Sequence, residues 1–347
     1  MIITRTPFRV TLGGGGTDLP SYYRSHGGFI FAMGIDKYMY IMVNPPIVDS
    51  KIRLHYSRSE TVDHVDELQH ELAREALRFH GIRQKIEISS MADLPDGTGL
   101  GSSGAYLVGL LTALHHYRRD YVPLGTLAEE ACHIELDVLK KGVGKQDQYM
   151  AVFGGLTVLE IERDGTVTPR VIELPAGSTE AFVANTQLYY TGVRRSAVEI
   201  LSEQNGKLAG EAPGRRQAED SMHQIKELGH RILEAIEREN FDDWGLLLHE
   251  HWCQKRRLSG KISSLELDAL YQHVREEFGV LGGKIAGAGG GGFLMLYAPG
   301  EHKRLEAFMR TQGMARLHYK VEHEGSKVIA NLASAPAMRG APVPVRA

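Results

Sequence analysis

Cysteine, unbalanced charge and long apolar runs are scarce in this chain of 347 residues. Its two cysteines, Cys132 and Cys253, allow one disulfide bridge at most, and neither belongs to the CxxC pair of a metal site. Lys+Arg 40 against Asp+Glu 43 gives a net charge of -3, whereas nucleic-acid binding depends on a basic face. No apolar run approaches the roughly 18 residues that a membrane span needs. We therefore expect neither nucleic acid nor a membrane as a partner.

The first residues lack the basic and apolar regions of a signal peptide, and the low cysteine content suits a reducing compartment. A cytoplasmic location is therefore expected. The hydrophobic content of 42% excludes a charge-driven disordered chain. At roughly 150 residues per domain, the length predicts about two domains. A polar, glycine-containing stretch near residues 165–180 is the expected boundary, which gives domains at 1–175 and 176–332 and a flexible Ala/Pro-rich tail at 333–347.

Glycine is the enriched residue type, with 39 of 347 residues, or about 11% against a usual 7%. The excess lies in clusters at residues 13–16, 97–104 and 287–292. Because glycine lets the backbone approach a ligand closely, such clusters between apolar segments indicate binding loops. Around them, β-rich and alternating patterns predict strands at 2–12, 29–43, 51–56, 85–90, 154–161, 181–190 and 293–297. Apolar residues at helical spacing predict helices at 66–79, 106–117, 127–140, 216–239, 242–258 and 265–278.

The strongest motif is the segment PDGTGLGSSG at residues 95–104, which follows a predicted strand and leads into an apolar helix. Glycine N–H groups, a helix N-terminus and the hydroxyls of Ser102 and Ser103 favour a phosphate-binding loop. The segment lacks the lysine of a Walker A loop. Gly99, Gly101 and Gly104 match GxGxxG, but a dinucleotide fold needs a strand after the helix, where this sequence predicts a second helix. A helix-capping turn without a ligand stays open.

Residues 95–103 resemble the PxxxGLGSS loop of the GHMP kinases, the superfamily of galactokinase, homoserine kinase and mevalonate kinase. Two further motifs of that family occur at their expected places. TPFRV at 6–10 with GTD at 16–18 resembles the opening motif, and KIAGAGGGG at 284–292 resembles the closing glycine motif. The resemblance implies an α+β two-domain kinase fold. Its N-terminal domain would resemble ribosomal S5 domain 2, its C-terminal domain would be ferredoxin-like, and the active site would lie in the cleft between them.

The resemblance also implies ATP and Mg²⁺ as cofactors. The predicted nucleotide-binding residues are Pro95, Gly97, Thr98, Gly99, Leu100, Gly101, Ser102, Ser103 and Gly104. Ser103 and Glu135 match the positions of the family's Mg²⁺ ligands, and oxygen ligands suit that ion. The competing interpretations are that Glu129 or Asp137 is the ligand, or that Glu135 is a solvated helix charge.

Asp147 lies in GVGKQDQ at residues 142–148, which resembles the loop that carries the catalytic aspartate of galactokinases. Phosphoryl transfer to a hydroxyl uses such a base near the attacking oxygen. Without the resemblance, a single aspartate in a loop is more often a turn residue. Arg9 matches the basic residue beside that aspartate, where it would support the negative charge. A surface arginine at the end of a strand is the alternative.

The resemblance points to a sugar as the phosphate acceptor. Galactokinases carry Gly-Glu-His before Thr-Asp, whereas this chain has glycine in those positions before Thr17 and Asp18, which disfavours galactose. The long form GGGGTDLPSYYRSHGG and the segment GKQDQY most resemble the D-glycero-D-manno-heptose 7-phosphate kinases. Those enzymes phosphorylate the anomeric C1 hydroxyl and give the 1,7-bisphosphate, which leads to GDP-heptose for capsule or S-layer polysaccharide.

Three other functions stay open from the sequence. The first is an anomeric kinase for an unphosphorylated sugar such as fucose, galactose or mannose. The second is a family member that senses a nucleotide or a sugar without catalysis. The third is a dinucleotide-dependent oxidoreductase. A homodimer is compatible with the sequence, which does not determine the oligomeric state.

The resemblance assigns sugar binding to Gly15, Gly16, Thr17, Asp18, Lys37, Gly144, Arg195, Gly289 and Gly290. A substrate that already carries a phosphate also needs a cationic pocket. The candidates for that pocket are Arg24, Lys37, Arg194, Arg195 and Lys255. A zinc site is not indicated, because His249 and His251 are two residues apart and would not share a helix face.

Overall fold

The structure is a computed structural model that describes residues 1–194, 197–208 and 214–332. Arg195 and the predicted tail at 333–347 lie outside the described residues. The strands are β1 Ile2–Gly13, β2 Gly28–Asn44, β3 Ile52–His55, β4 Ser59–Val62, β5 Ile86–Ala92, β6 Leu156–Ile161, β7 Val167–Ile172, β8 Thr186–Tyr190, β9 Gly282–Ile285, β10 Phe293–Tyr297, β11 Arg316–Leu317 and β12 Lys327–Asn331.

The α-helices are α1 Pro20–His26, α2 Glu71–Phe79, α3 Ser102–Arg118, α4 Leu124–Cys132, α5 Gln146–Phe153, α6 Ala176–Asn185, α7 Ala197–Leu208, α8 Arg215–Glu237, α9 Phe241–Leu258, α10 Leu265–Glu277 and α11 His302–Thr311. A short 3₁₀ turn covers Val65–Glu67, and a π-helical turn at His133–Val138 continues α4. No helix among the described residues has the length and apolar character needed to cross a membrane.

The long strand β2 organises the first sheet. Its first residues pair with β6, its last residues pair with β5, and β1 runs antiparallel along its other edge. The sheet continues from β5 to β3 and β4 on one side and from β1 to β12 on the other, while β7 extends it from β6. All of these pairings are antiparallel except the one between β3 and β5. The fold therefore brings the N-terminal strand and the last described strand side by side.

Helix α3 covers the first sheet and is buried on nearly every side, from residue 104 to residue 115. Its sequence is apolar all round, which is typical of a helix inside a core rather than on a surface. It packs against β1 and β2. This packing fixes the N-terminal end of α3, where the glycine-rich segment enters the helix, relative to the end of β1.

The second sheet has the order β11-β8-β10-β9 and is antiparallel throughout. Helix α9 packs on β9, and α8 packs on both α9 and the strands β1 and β2 of the first sheet. Gly229 in α8 allows this close approach, because a Cβ there would lie 2.8 Å from the ring of Phe29. The two sheets are thus joined through α8 and α9.

Most predicted elements are present, including the strands at 2–12, 29–43 and 293–297 and the long helices after residue 215. The strand predicted at 181–190 is wrong in its first half, because α6 continues to Asn185 before β8 begins. The loop predicted around Asp147 is also wrong, since that residue lies in the first turn of α5. The helices α1, α5, α6, α7 and α11 and the strands β4, β7, β9, β11 and β12 are not predicted from the sequence.

The predicted domain boundary at residue 175 falls between β7 of the first sheet and α6, which leads into the second. After the second sheet, the chain returns to the first sheet. Strand β12 pairs antiparallel with β1, with Ile2 opposite Asn331. Residues 327–331 therefore belong to the first sheet, although the sequence-based division groups them with the second domain.

Candidate active site

A cavity of about 620 Å³ lies where the end of β1, the glycine-rich segment before α3, the start of α5 and helices α7 and α9 meet. It brings together many residues that the sequence places far apart. Those predicted as site residues are Arg9, Gly15, Gly16, Asp18, Gly97, Gly99, Gly101, Ser102, Ser103, Glu135, Gly144 and Asp147. Of the candidate phosphate-pocket cations, Arg194 and Lys255 also line it.

The glycine-rich segment forms a loop whose glycines take up conformations that other residues rarely adopt. Gly97, Gly99 and Gly101 have φ angles of 71°, 78° and 82°. Gly101 caps α3, so the unpaired N–H groups of the first turn and the hydroxyls of Ser102 and Ser103 lie at the cavity. A helix N-terminus of this kind attracts anions through its N–H groups and its dipole. The loop therefore provides a phosphate-binding surface.

Arg9 lies within strand β1 and connects the glycine-rich loop to Asp147. Its Nη1 donates to the carbonyl of Gly99 at 2.7 Å. Its Nε and Nη2 both donate to Oδ1 of Asp147, at 2.8 and 2.6 Å. Asp147 is pressed against α3, because a Cβ at Gly104 would lie 2.7 Å from the Asp147 Cβ. The carboxylate is thus fixed beside the phosphate-binding loop, with a third of its surface open to the cavity.

Asp18 provides a second carboxylate in the cavity. Its Oδ1 accepts from the backbone N–H of Gly16 at 3.2 Å, and its Oδ2 accepts from the N–H of Gln146 at 3.0 Å. Gly144 comes so close that a Cβ there would lie 1.9 Å from Oδ2. Burial raises the pKa of Asp18, and the negative charge of Asp147 adds to this, while the N–H donors oppose it. A buried carboxylate with partly filled acceptor sites suits hydrogen bonds from ligand hydroxyl groups.

Glu135 is buried in the π-helical turn His133–Val138 that continues α4. Its Oε2 accepts from Nε2 of Gln148 at 2.6 Å, whereas its Oε1 has no hydrogen-bond partner among the described residues. Burial raises the pKa of this carboxyl, although the Lys141 charge and the nearby Gln148 and Ser103 side chains oppose the shift. An unpartnered buried carboxylate oxygen beside a serine hydroxyl fits a hard cation that keeps several waters, such as Mg²⁺.

The other two acidic candidates for the metal are engaged elsewhere. Both carboxylate oxygens of Glu129 accept from Lys145, and Tyr149 donates to the same group. Asp137 is exposed and pairs with His133 at 2.9 Å. The described residues contain no group of three or more His, Cys, Asp or Glu side chains that could hold a metal ion. Ser103 and Glu135 are therefore the residues that fit Mg²⁺, together with the phosphates of a bound nucleotide.

Of the described candidates for the phosphate pocket, Arg194 and Lys255 line the cavity, whereas Lys37 and Arg24 do not. Lys37 donates to its neighbour Asp36 at 2.7 Å and does not line the cavity, and Arg24 is exposed on α1 away from it. Arg194 does line the cavity, where it pairs with Asp96. Lys255 lines it from α9 and is almost completely buried.

Several predicted site residues do not line the cavity, namely Thr17, Lys37, Pro95, Thr98, Leu100, Gly104, Gly289 and Gly290. Thr17 instead bonds through its hydroxyl to both the carbonyl and the N–H of Phe29. Leu100 is buried in the core and anchors the loop. Gly290 donates its N–H to Ile262 and lines a separate cavity. Thr17, Leu100 and Gly290 therefore hold segments next to the cavity in place.

The structure also adds residues that the sequence did not single out. Gln148, Lys141 and Gln204 lie in or directly behind the cavity. Of these three residues, only Gln148 could have been suspected from the sequence, because it directly follows the predicted base Asp147. The alternative of a dinucleotide fold does not fit, because α3 leads to α4 with no strand between residues 102 and 132.

Comparison with known protein families shows to which family the chain belongs. The family described as GHMP kinases N terminal domain matches residues 64–155, and that described as GHMP kinases C terminal matches residues 232–313. The chain belongs to the GHMP kinase family. This confirms the predicted family and the two-domain fold of mixed helices and sheets. This GHMP kinase is an ATP-dependent sugar kinase.

Two curated relatives match this GHMP kinase over 341 residues each. It is 28% identical to the D-glycero-alpha-D-manno-heptose 7-phosphate kinase of Campylobacter jejuni, covering 94% of this chain and 98% of the relative. It is 27% identical to the L-fucokinase/L-fucose-1-P guanylyltransferase of Bacteroides fragilis, covering 85% of this chain and 34% of that longer protein.

Among solved structures, a D-glycero-D-manno-heptose 1-phosphate kinase from Bacteroides thetaiotaomicron superposes with a TM-score of 0.78 at 19% identity, covering 95% of this chain and 99% of that one. The galactokinase of Lactococcus lactis bound to galactose gives a TM-score of 0.74 at 19% identity, covering 94% of each chain. At these identities, the structures establish the shared fold of the GHMP kinase.

Proposed function

We propose that this GHMP kinase transfers the γ-phosphoryl group of ATP to the anomeric C1 hydroxyl of D-glycero-D-manno-heptose 7-phosphate. The observation that carries the proposal is the Arg9–Asp147 pair, which faces one cavity together with the phosphate-binding loop and Asp18. The choice of sugar is supported by the Campylobacter jejuni relative, which matches almost the whole length of both chains. The product would be heptose 1,7-bisphosphate.

On the nucleotide side, the triphosphate would lie against residues 97–103 and the N-terminus of α3. The backbone N–H groups there are oriented before any ligand binds, so they stabilise the phosphate charge without reorganisation. Ser103 and Glu135 would hold Mg²⁺, which supplies positive charge to the β- and γ-phosphate oxygens. Phosphoryl transfer depends mainly on such positioning and charge stabilisation.

On the acceptor side, Asp147 would accept the proton of the C1 hydroxyl through Oδ2, the oxygen that Arg9 leaves free. The sugar oxygen then forms a bond to the γ-phosphorus, and the bond between that phosphorus and the oxygen bridging it to the β-phosphate breaks. ADP leaves with the bridging oxygen. Asp18 and the N–H groups around Gly15 and Gly16 would hold the other sugar hydroxyls, which orients C1 toward the reaction.

The product would feed the synthesis of GDP-activated heptose for a surface polysaccharide such as a capsule or an S-layer glycan. This pathway, the cytoplasmic location and any homodimer are proposals that follow from the sequence resemblance. A second candidate function is an anomeric kinase for an unphosphorylated sugar, and the similarity to the Bacteroides fragilis L-fucokinase favours it.

The test measures ADP release from MgATP with D-glycero-D-manno-heptose 7-phosphate, heptose, mannose, galactose and fucose. We expect strong preference for the heptose 7-phosphate, and phosphorus NMR should show the new phosphate on C1. Preference for an unphosphorylated sugar would select the second function. Absence of turnover with every sugar, despite MgATP binding, would contradict both.

A further inference from the structure

Lys255 is a buried cation without a carboxylate partner among the described residues. Its side chain reaches the cavity from α9, and only 6% of the residue is exposed. Its ammonium group donates to the carbonyl of Gly287. Lys145, a buried lysine at the N-cap of α5, is instead held by both carboxylate oxygens of Glu129. A buried charge without a counter-charge is unfavourable unless a ligand supplies one.

The groups around Lys255 increase this imbalance. Arg9 on β1 and Lys284 on β9 lie near it, and Asp18 is the one acidic group among the described residues that influences its pKa. His251 on α9 is also close, but burial and the two lysines lower its pKa well below the usual value, so its ring is neutral and supplies no counter-charge. Lys284 donates only to the carbonyl of Leu12, at 3.4 Å, and neither ring nitrogen of His251 has a partner among the described residues. Burial and the Arg9 charge lower the pKa of Lys255 to about 8, and Asp18 partly opposes them. This end of the cavity therefore favours an anion.

A chain of contacts connects Lys255 to the residues proposed to take part in the reaction. Gly287, which accepts from Lys255, packs directly on the phosphate-binding loop, since a Cβ at Gly287 would lie 2.6 Å from the carbonyl of Gly99. Gly99 in turn accepts from Arg9, the partner of Asp147. Lys255 also lies close enough to Arg9 and Asp18 to interact with their charges, and these two residues border the region assigned to the acceptor.

We propose that Lys255 binds a phosphate group of a bound substrate, and that this group is the distal phosphate of the sugar acceptor. The inference rests on the proposed function. A phosphate could also come from ATP, whose γ-phosphoryl group must reach the same part of the cavity. In the proposed function the N-terminus of α3, Ser102 and Ser103, which line the same cavity, would bind the nucleotide phosphates, which leaves Lys255 for the acceptor.

The experiment compares three variants of Lys255 with the unaltered enzyme. Lys255→Arg keeps the charge. Lys255→Gln removes the charge but keeps a donor for the Gly287 carbonyl, and Lys255→Met removes both. Lys207→Gln is the matched control, because Lys207 also donates to a backbone carbonyl, that of Leu258 at 2.9 Å, but does not line the cavity.

The measured quantity is the ratio of kcat/KM for heptose 7-phosphate to kcat/KM for heptose. We expect this ratio to fall roughly 10- to 100-fold in Lys255→Gln and Lys255→Met, as for loss of a charged hydrogen bond, and to recover largely in Lys255→Arg. Lys207→Gln should leave it unchanged. An unchanged ratio in Lys255→Gln would assign the lysine a structural contact with Gly287 and overturn the proposal.

A separate binding measurement distinguishes the two sources of phosphate. If Lys255→Gln instead loses the preference for ATP over ADP and affects both acceptors equally, the γ-phosphoryl group is the ligand and the assignment to the acceptor is overturned. Calorimetric titration with MgADP checks that each variant is folded. If the unaltered enzyme turns over no phosphorylated sugar, the proposed function fails, whereas the comparison of ATP with ADP still tests Lys255 on its own.

Discussion

Arg9 and Asp147 are joined by two hydrogen bonds to a single carboxylate oxygen. Nε and Nη2 of Arg9 both donate to Oδ1 of Asp147, and no described residue donates to Oδ2. Charge-assisted bonds of this kind fix the direction of both groups. The arrangement leaves one oxygen of the carboxylate facing the cavity with its lone pairs available, which is the geometry that a general base requires.

The first prediction concerns that oxygen. Asp147→Asn should lower kcat by roughly 10²- to 10⁴-fold, because an amide cannot accept the proton of the acceptor hydroxyl. MgATP affinity should stay nearly unchanged, since the phosphate-binding loop is intact. Steady-state kinetics and calorimetric MgATP titration check both parts. Turnover close to that of the unaltered enzyme would contradict the assignment of Asp147 as the base.

The second prediction tests the packing that holds Asp147 in place. Gly104→Ala should lower kcat, because the new Cβ would lie 2.7 Å from the Asp147 Cβ and displace the carboxylate from Arg9. Gly125→Ala is the matched control in helix α4, where a Cβ meets nothing within 4 Å. The control should keep full activity and gain helix stability of up to about 1 kcal/mol. Equal activity in the two variants would show that Asp147 tolerates displacement.

The third prediction concerns the buried pair of Gln148 and Glu135. Gln148→Met removes the donor at 2.6 Å that orients the Glu135 carboxylate. Side chains that orient a metal ligand typically contribute 10- to 100-fold in affinity, so Mn²⁺ binding in the presence of ADP should weaken by roughly tenfold or more. Electron paramagnetic resonance measures the free Mn²⁺ directly and does not depend on turnover.

Two further variants serve as the positive and the negative control for this measurement of Mn²⁺ binding. Glu135→Gln should weaken Mn²⁺ binding at least as strongly as Gln148→Met. Asp137→Asn removes an exposed carboxylate from the same π-helical turn and should leave binding unchanged, because Asp137 pairs with His133 outside the cavity. If Asp137→Asn weakens Mn²⁺ binding and Glu135→Gln does not, the metal ligand is Asp137 rather than Glu135.

The sequence predicted that the glycine-rich loop, Asp147 and Arg9 come together, because each lies in a contiguous motif, and the structure places all three at one cavity. The helix that carries Asp147 could not be predicted, since QDQYMAVF is short and Lys145 at its N-cap makes no capping hydrogen bond. Its start is defined instead by tertiary contacts, namely those of Gln146 with Asp18 and of Lys145 with Glu129. The same limit applies to β12, whose pairing with β1 joins opposite ends of the described chain.

The environment of Lys255 and the contact between Gln148 and Glu135 could be recognised only in the structure. Lys255 falls on the same helical stripe of α9 as Trp244, Leu248 and Trp252, all of which are buried. A lysine on an apolar stripe indicates burial, but the sequence does not say whether it faces a core or a cavity. The orienting contact between Gln148 and Glu135 joins two helices and has no local pattern.

The fourth prediction follows from the charge of Lys255. Its pKa is lowered to about 8 from an ordinary 10.5, so the ammonium form predominates below that pH and is lost above it. If this charge binds the distal phosphate, kcat/KM for heptose 7-phosphate relative to heptose should fall about tenfold per pH unit above the pKa of the free enzyme. Taking the ratio of two acceptors cancels the titration of groups that serve both acceptors.

The measurement is a pair of pH profiles from roughly pH 6.5 to 9.5, a range in which the sugar phosphate is fully charged at the upper end. Lys255→Arg should remove the decline, because a guanidinium group keeps its proton throughout this range. The titratable groups Asp18, Lys284 and His251 remain near residue 255 in that variant, so a decline that persists in Lys255→Arg would have to come from one of them. A flat ratio in the unaltered enzyme would mean that the charge of Lys255 does not contact the distal phosphate.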